Sequence, residues 1–91
     1  MSYALKMQVV GRVQGVGFRY CAQQKASSLR LNGWVRNERD GSVMIHVEGE
    51  KQHVESFRNW LKVGPPGAHV ESVNSRDTQA MGFNRGFKIE Y

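Results

Sequence analysis

Polar and apolar positions alternate from the start of the chain. Over residues 3–13, Leu5, Met7 and Val9 alternate with Lys6 and Gln8, the period of a strand with one buried face. Gly11 interrupts that strand as a bulge or a close backbone approach would. From about residue 18 to residue 31 the period changes. Phe18, Ala22, Ala26 and Leu29 fall four, four and three apart, lining one face of a helix, and Asn32-Gly33 reads as its C-terminal stop. Residues 34–38 predict a second strand and Arg39-Asp40-Gly41 a tight turn. Residues 42–48 form the most regular strand pattern, Val43, Ile45 and Val47 against Met44, His46 and Glu48. Val54, Phe57 and Leu61, with Trp60 beside them, predict a second helix over about 51–63, stopped by Gly64-Pro65-Pro66-Gly67. Val70 and Val73 mark a weakly patterned fourth strand, residues 79–86 read as a loop, and residues 87–91 as a last short strand.

The order strand, helix, strand, strand, helix, strand, with one strand more, predicts an α+β sandwich of the ferredoxin-like kind, two helices on one face of a mostly antiparallel sheet. Phe18, Trp34 and Trp60 are expected in its core, and Cys21 as a small packing residue near the start of the first helix. A chain of 91 residues supports one domain, residues 1–91, with a modest core. The fold hosts many unrelated activities, so function has to come from a site.

Composition narrows the field a little. The net charge of +5 attracts anions without saying which, and Lys and Arg are scattered instead of blocked. No stretch is apolar enough to span a membrane, and the opening Met1-Ser2-Tyr3-Ala4-Leu5-Lys6 lacks a signal-peptide pattern. With Cys21 as the one cysteine, no internal disulfide is available, and cytoplasmic residence is the expectation. A monomer is the default.

The chemistry concentrates in Gln14-Gly15-Val16-Gly17-Phe18-Arg19, where the strand gives way to the helix. Two glycines permit backbone turns that a side chain forbids. The helix behind them opens with N–H groups that have no internal partner. Those donors, the positive end of the helix dipole and the Arg19 guanidinium converge on a place suited to a small tetrahedral anion. Other phosphate and nucleophile chemistries fail on spacing. No lysine follows the glycines as in a nucleotide-binding P-loop, and Tyr20 stands where a dinucleotide fingerprint needs its third glycine. Cys21 has Ser27, not arginine, six positions on, and His46, His53 and His69 lack metal-ligand spacing. What remains is an anion cradle with an arginine, a pattern that fits phosphoryl transfer to water by positioning and charge stabilisation. The water needs a partner, and an amide can accept from it without titrating. Asn37 is a candidate, but spacing alone does not choose it over Asn32, Asn59 or Gln14.

Two longer stretches resemble signatures of a known family. Residues 9–19, Val9-Val10-Gly11-Arg12-Val13-Gln14-Gly15-Val16-Gly17-Phe18-Arg19, resemble the first signature of the acylphosphatase family. Residues 33–49, opening Gly33-Trp34-Val35-Arg36-Asn37 and continuing through Asp40-Gly41-Ser42-Val43 to Gly49, resemble its second. The closing Phe87-Lys88-Ile89-Glu90-Tyr91 is similar to the family's last strand, and residues 50–85 are similar in pattern only. The resemblance implies a ferredoxin-like sandwich that cleaves carboxyl-phosphate anhydrides to a carboxylate and inorganic phosphate, with no metal, no cofactor and no covalent phospho-enzyme. At the matching positions it implies that the backbone N–H groups of Gly15, Val16, Gly17, Phe18 and Arg19, with the Arg19 guanidinium, bind the phosphate, and that Asn37 orients the attacking water. Phosphate or sulfate should occupy the same loop.

That division of labour is chemically adequate. The carboxylate leaving group is weakly basic and departs without a strong general acid. Arg19 offers a planar fork across two phosphate oxygens, and preorganised donors stabilise charge on the equatorial oxygens. The competing reading is an RNA-binding module using sheet aromatics, since Arg85-Gly86-Phe87 looks like the start of an RNA-recognition octamer. Lys88 and Ile89 break that pattern, so no nucleic-acid partner is expected.

Overall fold

The first strand's alternation becomes a one-sided core. The computed structural model describes residues 2–91; Met1, first residue of the stretch read for a targeting signal, lies outside the described residues. Strand β1 (Tyr3–Arg12) buries Leu5, Met7 and Val9. Helix α1 (Phe18–Ser28) buries Phe18, Ala22 and Ala26, and the two alanines let the helix lie close to the sheet. Strands β2 (Asn32–Asn37) and β3 (Val43–Gly49) follow, then helix α2 (Lys51–Leu61), which buries Val54, Phe57 and Leu61. Strands β4 (His69–Asp77) and β5 (Phe87–Glu90) complete the chain. The five strands lie in the order β4-β1-β3-β2-β5. Three pairings are antiparallel and β5 runs parallel to β2 at the edge. The inward residues of β1, β3 and β2 and the buried faces of both helices form one cluster. This is the predicted ferredoxin-like sandwich, with an added edge strand.

Gly11 does both things expected of it. The β1–β4 register shifts between Val10 and Gly11, and a side chain at Gly11 would meet the His69 carbonyl at 2.1 Å. The turn at Arg39-Asp40-Gly41 is also as read. Asp40 Oδ1 accepts from the Ser42 N–H at 2.9 Å and its hydroxyl at 2.6 Å, and the Glu38 N–H donates to the Ser42 carbonyl at 2.8 Å.

Three expectations need correction. Helix α1 stops earlier than Asn32-Gly33, which belong to β2. Its stop is Arg30, at φ 57°. The Leu31 N–H reaches back to the Ala26 carbonyl at 2.9 Å and the Arg30 N–H to the Ser27 carbonyl at 3.0 Å, a left-handed cap closed by a non-glycine residue. Burial of Leu31 under the sheet-facing side holds that strained turn in place. Trp34 is not in the core. Its neighbours Gly33 and Val35 point inward, so it lies on the helix-free face, stacked on His46 with ring centroids 6.2 Å apart. Trp60 is only partly buried, at the core's rim, stacked on Phe57 at 6.3 Å. Cys21 is half-buried and free.

Candidate active site

Gln14 fixes where the glycine loop sits. Its amide nitrogen donates to the Glu38 carbonyl at 2.8 Å and the Ser42 carbonyl at 2.9 Å, using both amide protons. The loop leaving β1 is thereby tied to the base of the β2–β3 turn, and Asn37, last residue of β2, is brought beside it.

Beyond Gln14 the backbone takes two left-handed steps, Gly15 at φ 75° and Gly17 at φ 73°. A Cβ at either position would meet nothing within 4 Å, so glycine is there for conformation and not for space. Gly17 is the N-cap of α1 and supplies no side-chain cap, and no acidic residue stands in the first turn. The first helical bond runs from the Cys21 N–H to the Gly17 carbonyl at 3.0 Å. Among the described residues, no turn or loop carbonyl accepts from the N–H groups of residues 15–19. Phe18 roots the loop, buried with its ring 6.1 Å from that of Trp60, and Val16 packs against the core from outside.

Arg19 stands on the first turn of α1. Its Nη1 donates a long bond, 3.4 Å, to the Glu90 carbonyl, and its guanidinium lies 4.9 Å from the centre of the Tyr91 ring. No carboxylate among the described residues pairs with it. A cation beside the positive end of a helix is unfavourable unless an anion joins them.

These pieces line one cleft of about 270 Å³: Gly15, Gly17 and Arg19 from the loop, Asn37 from β2, and Ile89 and Tyr91 from the end of the chain. Its polar lining comes from Arg19, Asn37, the glycine-loop backbone and the tyrosines Tyr20 and Tyr91, set among Val13, Phe18 and Ile89. Of the amides left open by sequence, the fold brings Asn37 to the loop. Asn32 instead accepts from the Gly86 N–H at 2.8 Å at the far end of β2, and Asn59 is an exposed residue of α2. A second groove, about 300 Å³, lies on the helix-free face between Lys6, Gln8, Asn74 and Arg76. There β1 is paired on both sides, so its N–H groups serve the sheet ladders and none is left for a ligand. Sequence reasoning left Gln14's part in the site unassigned. Its signal was a two-donor amide immediately before the glycines.

Phe87, the aromatic on which an RNA reading would depend, is 3 % exposed and packs edge-on against Phe57 at 5.6 Å. It is not a stacking platform. No group of three or more His, Cys, Asp or Glu side chains gathers as a metal site among the described residues, and no helix there is long and apolar enough to cross a membrane.

Comparison with known proteins bears on the family and the fold. The acylphosphatase family model matches residues 5–89. The chain is 50% identical over 89 residues to an acylphosphatase of Nocardioides, covering 98% of this chain and 89% of that one. Among solved structures it resembles the acylphosphatase from Bacillus subtilis, with TM-score 0.93, 37% identity and 100% of both chains covered. It also resembles an acylphosphatase from Coxiella burnetii, with TM-score 0.93, 34% identity, and 98% and 93% of the two chains covered.

Proposed function

The chain belongs to the acylphosphatase family and hydrolyses acyl phosphates, and we propose that it does so with the phosphoryl group seated in the cradle of residues 15–19 and a water held by Asn37. The observation that carries this reading is the single cleft shared by Gly15, Gly17, Arg19 and Asn37.

The phosphoryl oxygens take the N–H groups of residues 15–19 and the fork of the Arg19 guanidinium. Asn37 accepts from the water and holds a lone pair toward phosphorus. The water oxygen bonds to phosphorus as the bond from phosphorus to the acyl oxygen breaks. The electron pair leaves on the carboxylate, and the water's protons pass to product phosphate and solvent. Charge spread over the equatorial oxygens meets donors already in place. A carboxylate leaving group makes no demand for a general acid, so the scheme assigns no metal and no thiol. Hydrolysis should survive exhaustive chelation; loss restored by a divalent cation would refute the metal-free scheme. Cys21, free and without an internal partner among the described residues, is compatible with a reducing compartment such as the cytoplasm.

The bond that breaks can be read directly. Hydrolysis of benzoyl phosphate in heavy-oxygen water should place the label in inorganic phosphate. Label in benzoate would mean attack on the acyl carbon, and the phosphoryl cradle would be wrong.

A further inference from the structure

On the helix-free face, opposite the catalytic cleft, Glu48 is 2 % exposed. Its carboxylate accepts four hydrogen bonds. Oε2 takes the Met81 N–H at 2.7 Å and His46 Nε2 at 2.6 Å. Oε1 takes the Gly82 N–H at 3.0 Å and the Phe83 N–H at 3.2 Å. An ionised carboxylate only accepts, and it offers about four lone-pair sites, so the match of acceptor to donors is complete. His46, 6 % exposed, is in turn held between the Trp34 ring and the edge-on Phe83 ring, 5.3 Å away. Three consecutive backbone N–H groups of the 78–86 loop are thus fastened to the middle of the sheet by one side chain.

What that loop carries matters. Three residues beyond Phe83, the Gly86 N–H donates to Asn32 Oδ1 at 2.8 Å and the Gly86 carbonyl accepts from the Gly33 N–H at 3.2 Å. Strand β5 then runs beside β2 from Gly33↔Phe87 to Arg36↔Glu90. It is a four-residue edge strand, paired on one side only, and its far end delivers Ile89, Tyr91 and the Glu90 carbonyl to the catalytic cleft. Arg19 rests on that end.

We propose that Glu48 is a positioning residue for the hydrolysis: by pinning the N–H groups of Met81, Gly82 and Phe83 it fixes the start of β5, and through β5 the wall against which the Arg19 guanidinium is held. The proposal rests on the assignment of Arg19 to the phosphate. Only a carboxylate fills the role, because in Glu48→Gln one oxygen becomes an NH₂ that faces N–H donors on the loop.

The test is Glu48→Gln, with volume conserved. Amide exchange at residues 81–83 and along β5 should accelerate while that of β1 is unchanged. Well below the melting temperature, KM for benzoyl phosphate and Kd for inorganic phosphate should rise on the order of tenfold, with kcat falling less, because Asn37 sits on β2 and not on β5. A purely structural Glu48 would lower the melting temperature and leave KM and Kd alone; that result overturns the proposal, as does unchanged exchange at 81–83. Should the variant not fold, the wild-type protein decides. Coupling is reciprocal, so saturating phosphate should slow exchange at residues 81–83, and no change there refutes the link. Arg19→Ala separates the premise from the inference. Full phosphate affinity in Arg19→Ala would sink the site assignment, whereas faster exchange in Glu48→Gln without a KM change would sink only the coupling.

Discussion

Replacing Gln14 by methionine removes both hydrogen bonds that tie the glycine loop to the β2–β3 turn and keeps the side chain's bulk. The partners lost are the Glu38 and Ser42 carbonyls. Neither is orphaned, since the Glu38 carbonyl still accepts from the Gly41 N–H at 3.2 Å and the Ser42 carbonyl from the Glu38 N–H at 2.8 Å. The cost is therefore the net worth of two bonds without a desolvation penalty, about 1–3 kcal/mol at the usual 0.5–1.5 each. Because each carbonyl keeps a donor, the lower half of that range is expected. For a domain of this size that lowers the melting temperature by roughly 5–15 °C. Activity should suffer more than stability suggests. Gln14 is what holds the cradle against the strand end that carries Asn37, and a misplacement of about 1 Å between phosphate and water can cost on the order of a hundredfold in rate. Gln14→Glu is the sharper variant: it places carboxylate oxygens against two carbonyls that need donors, so it should be both less stable and less active than Gln14→Met. Thermal unfolding and benzoyl phosphate hydrolysis of the two variants measure this. A Gln14→Met enzyme with normal kcat and KM, or a Gln14→Glu enzyme equal to it, would show that the amide does not align the site.

Arg19→Lys should recover little of the turnover lost in Arg19→Ala, because a point charge cannot span two phosphate oxygens; near-normal hydrolysis by the lysine variant would remove the bidentate role. Asn37→Ala should retain phosphate affinity while its kcat falls by about two orders of magnitude, and the reverse split would make Asn37 a binding residue. Inorganic phosphate at tenfold excess over its Kd should stabilise the fold by about 1.4 kcal/mol, roughly 5–10 °C; an equal gain in Arg19→Ala at matched ionic strength would mean general exclusion instead of a site. Acid stability should depend on Glu48. Burial raises its carboxyl pKa, but the bond from His46 and the Met81 and Gly82 N–H groups outweigh that and hold it below the usual range. A depressed folded pKa gives stability that is present above the unfolded value, about 4.3, and lost as pH falls through the folded one. Melting temperatures followed downward through that window should therefore fall less steeply for Glu48→Gln than for the wild type, and parallel curves would contradict the assignment.

Much of the candidate site is legible in the sequence because the chemistry proposed for it is local. Gly15, Gly17 and Arg19 lie within five residues of one another, so the cradle follows from backbone conformation and helix-end polarity without knowledge of the fold. Asn37 was different. Nothing in its own neighbourhood distinguishes it from Asn32 or Asn59; only similarity to a family singled it out, and only the return of β2 beside the loop gives that choice a physical basis.

Alternation and helical periodicity report which face of an element meets the core, and they determined the order of strands and helices, the inward Leu5, Met7, Val9, Phe57 and Leu61, and hence the sandwich itself. They are blind to what covers the other face. Glu48 and His46 occupy outward positions of β3 and so resemble solvated residues, yet a loop more than thirty positions away closes over them and makes them buried. Trp34 was misplaced for the same reason, its size suggesting the core while its parity assigned it to the opposite face. Gln14's two acceptors, 24 and 28 residues downstream, belong to the same class. Apolar burial is imprinted on the sequence as a period because every residue on a face shares it. A hydrogen bond between two distant segments is one event with no period, and it exists only once the sheet has brought its partners within 3 Å.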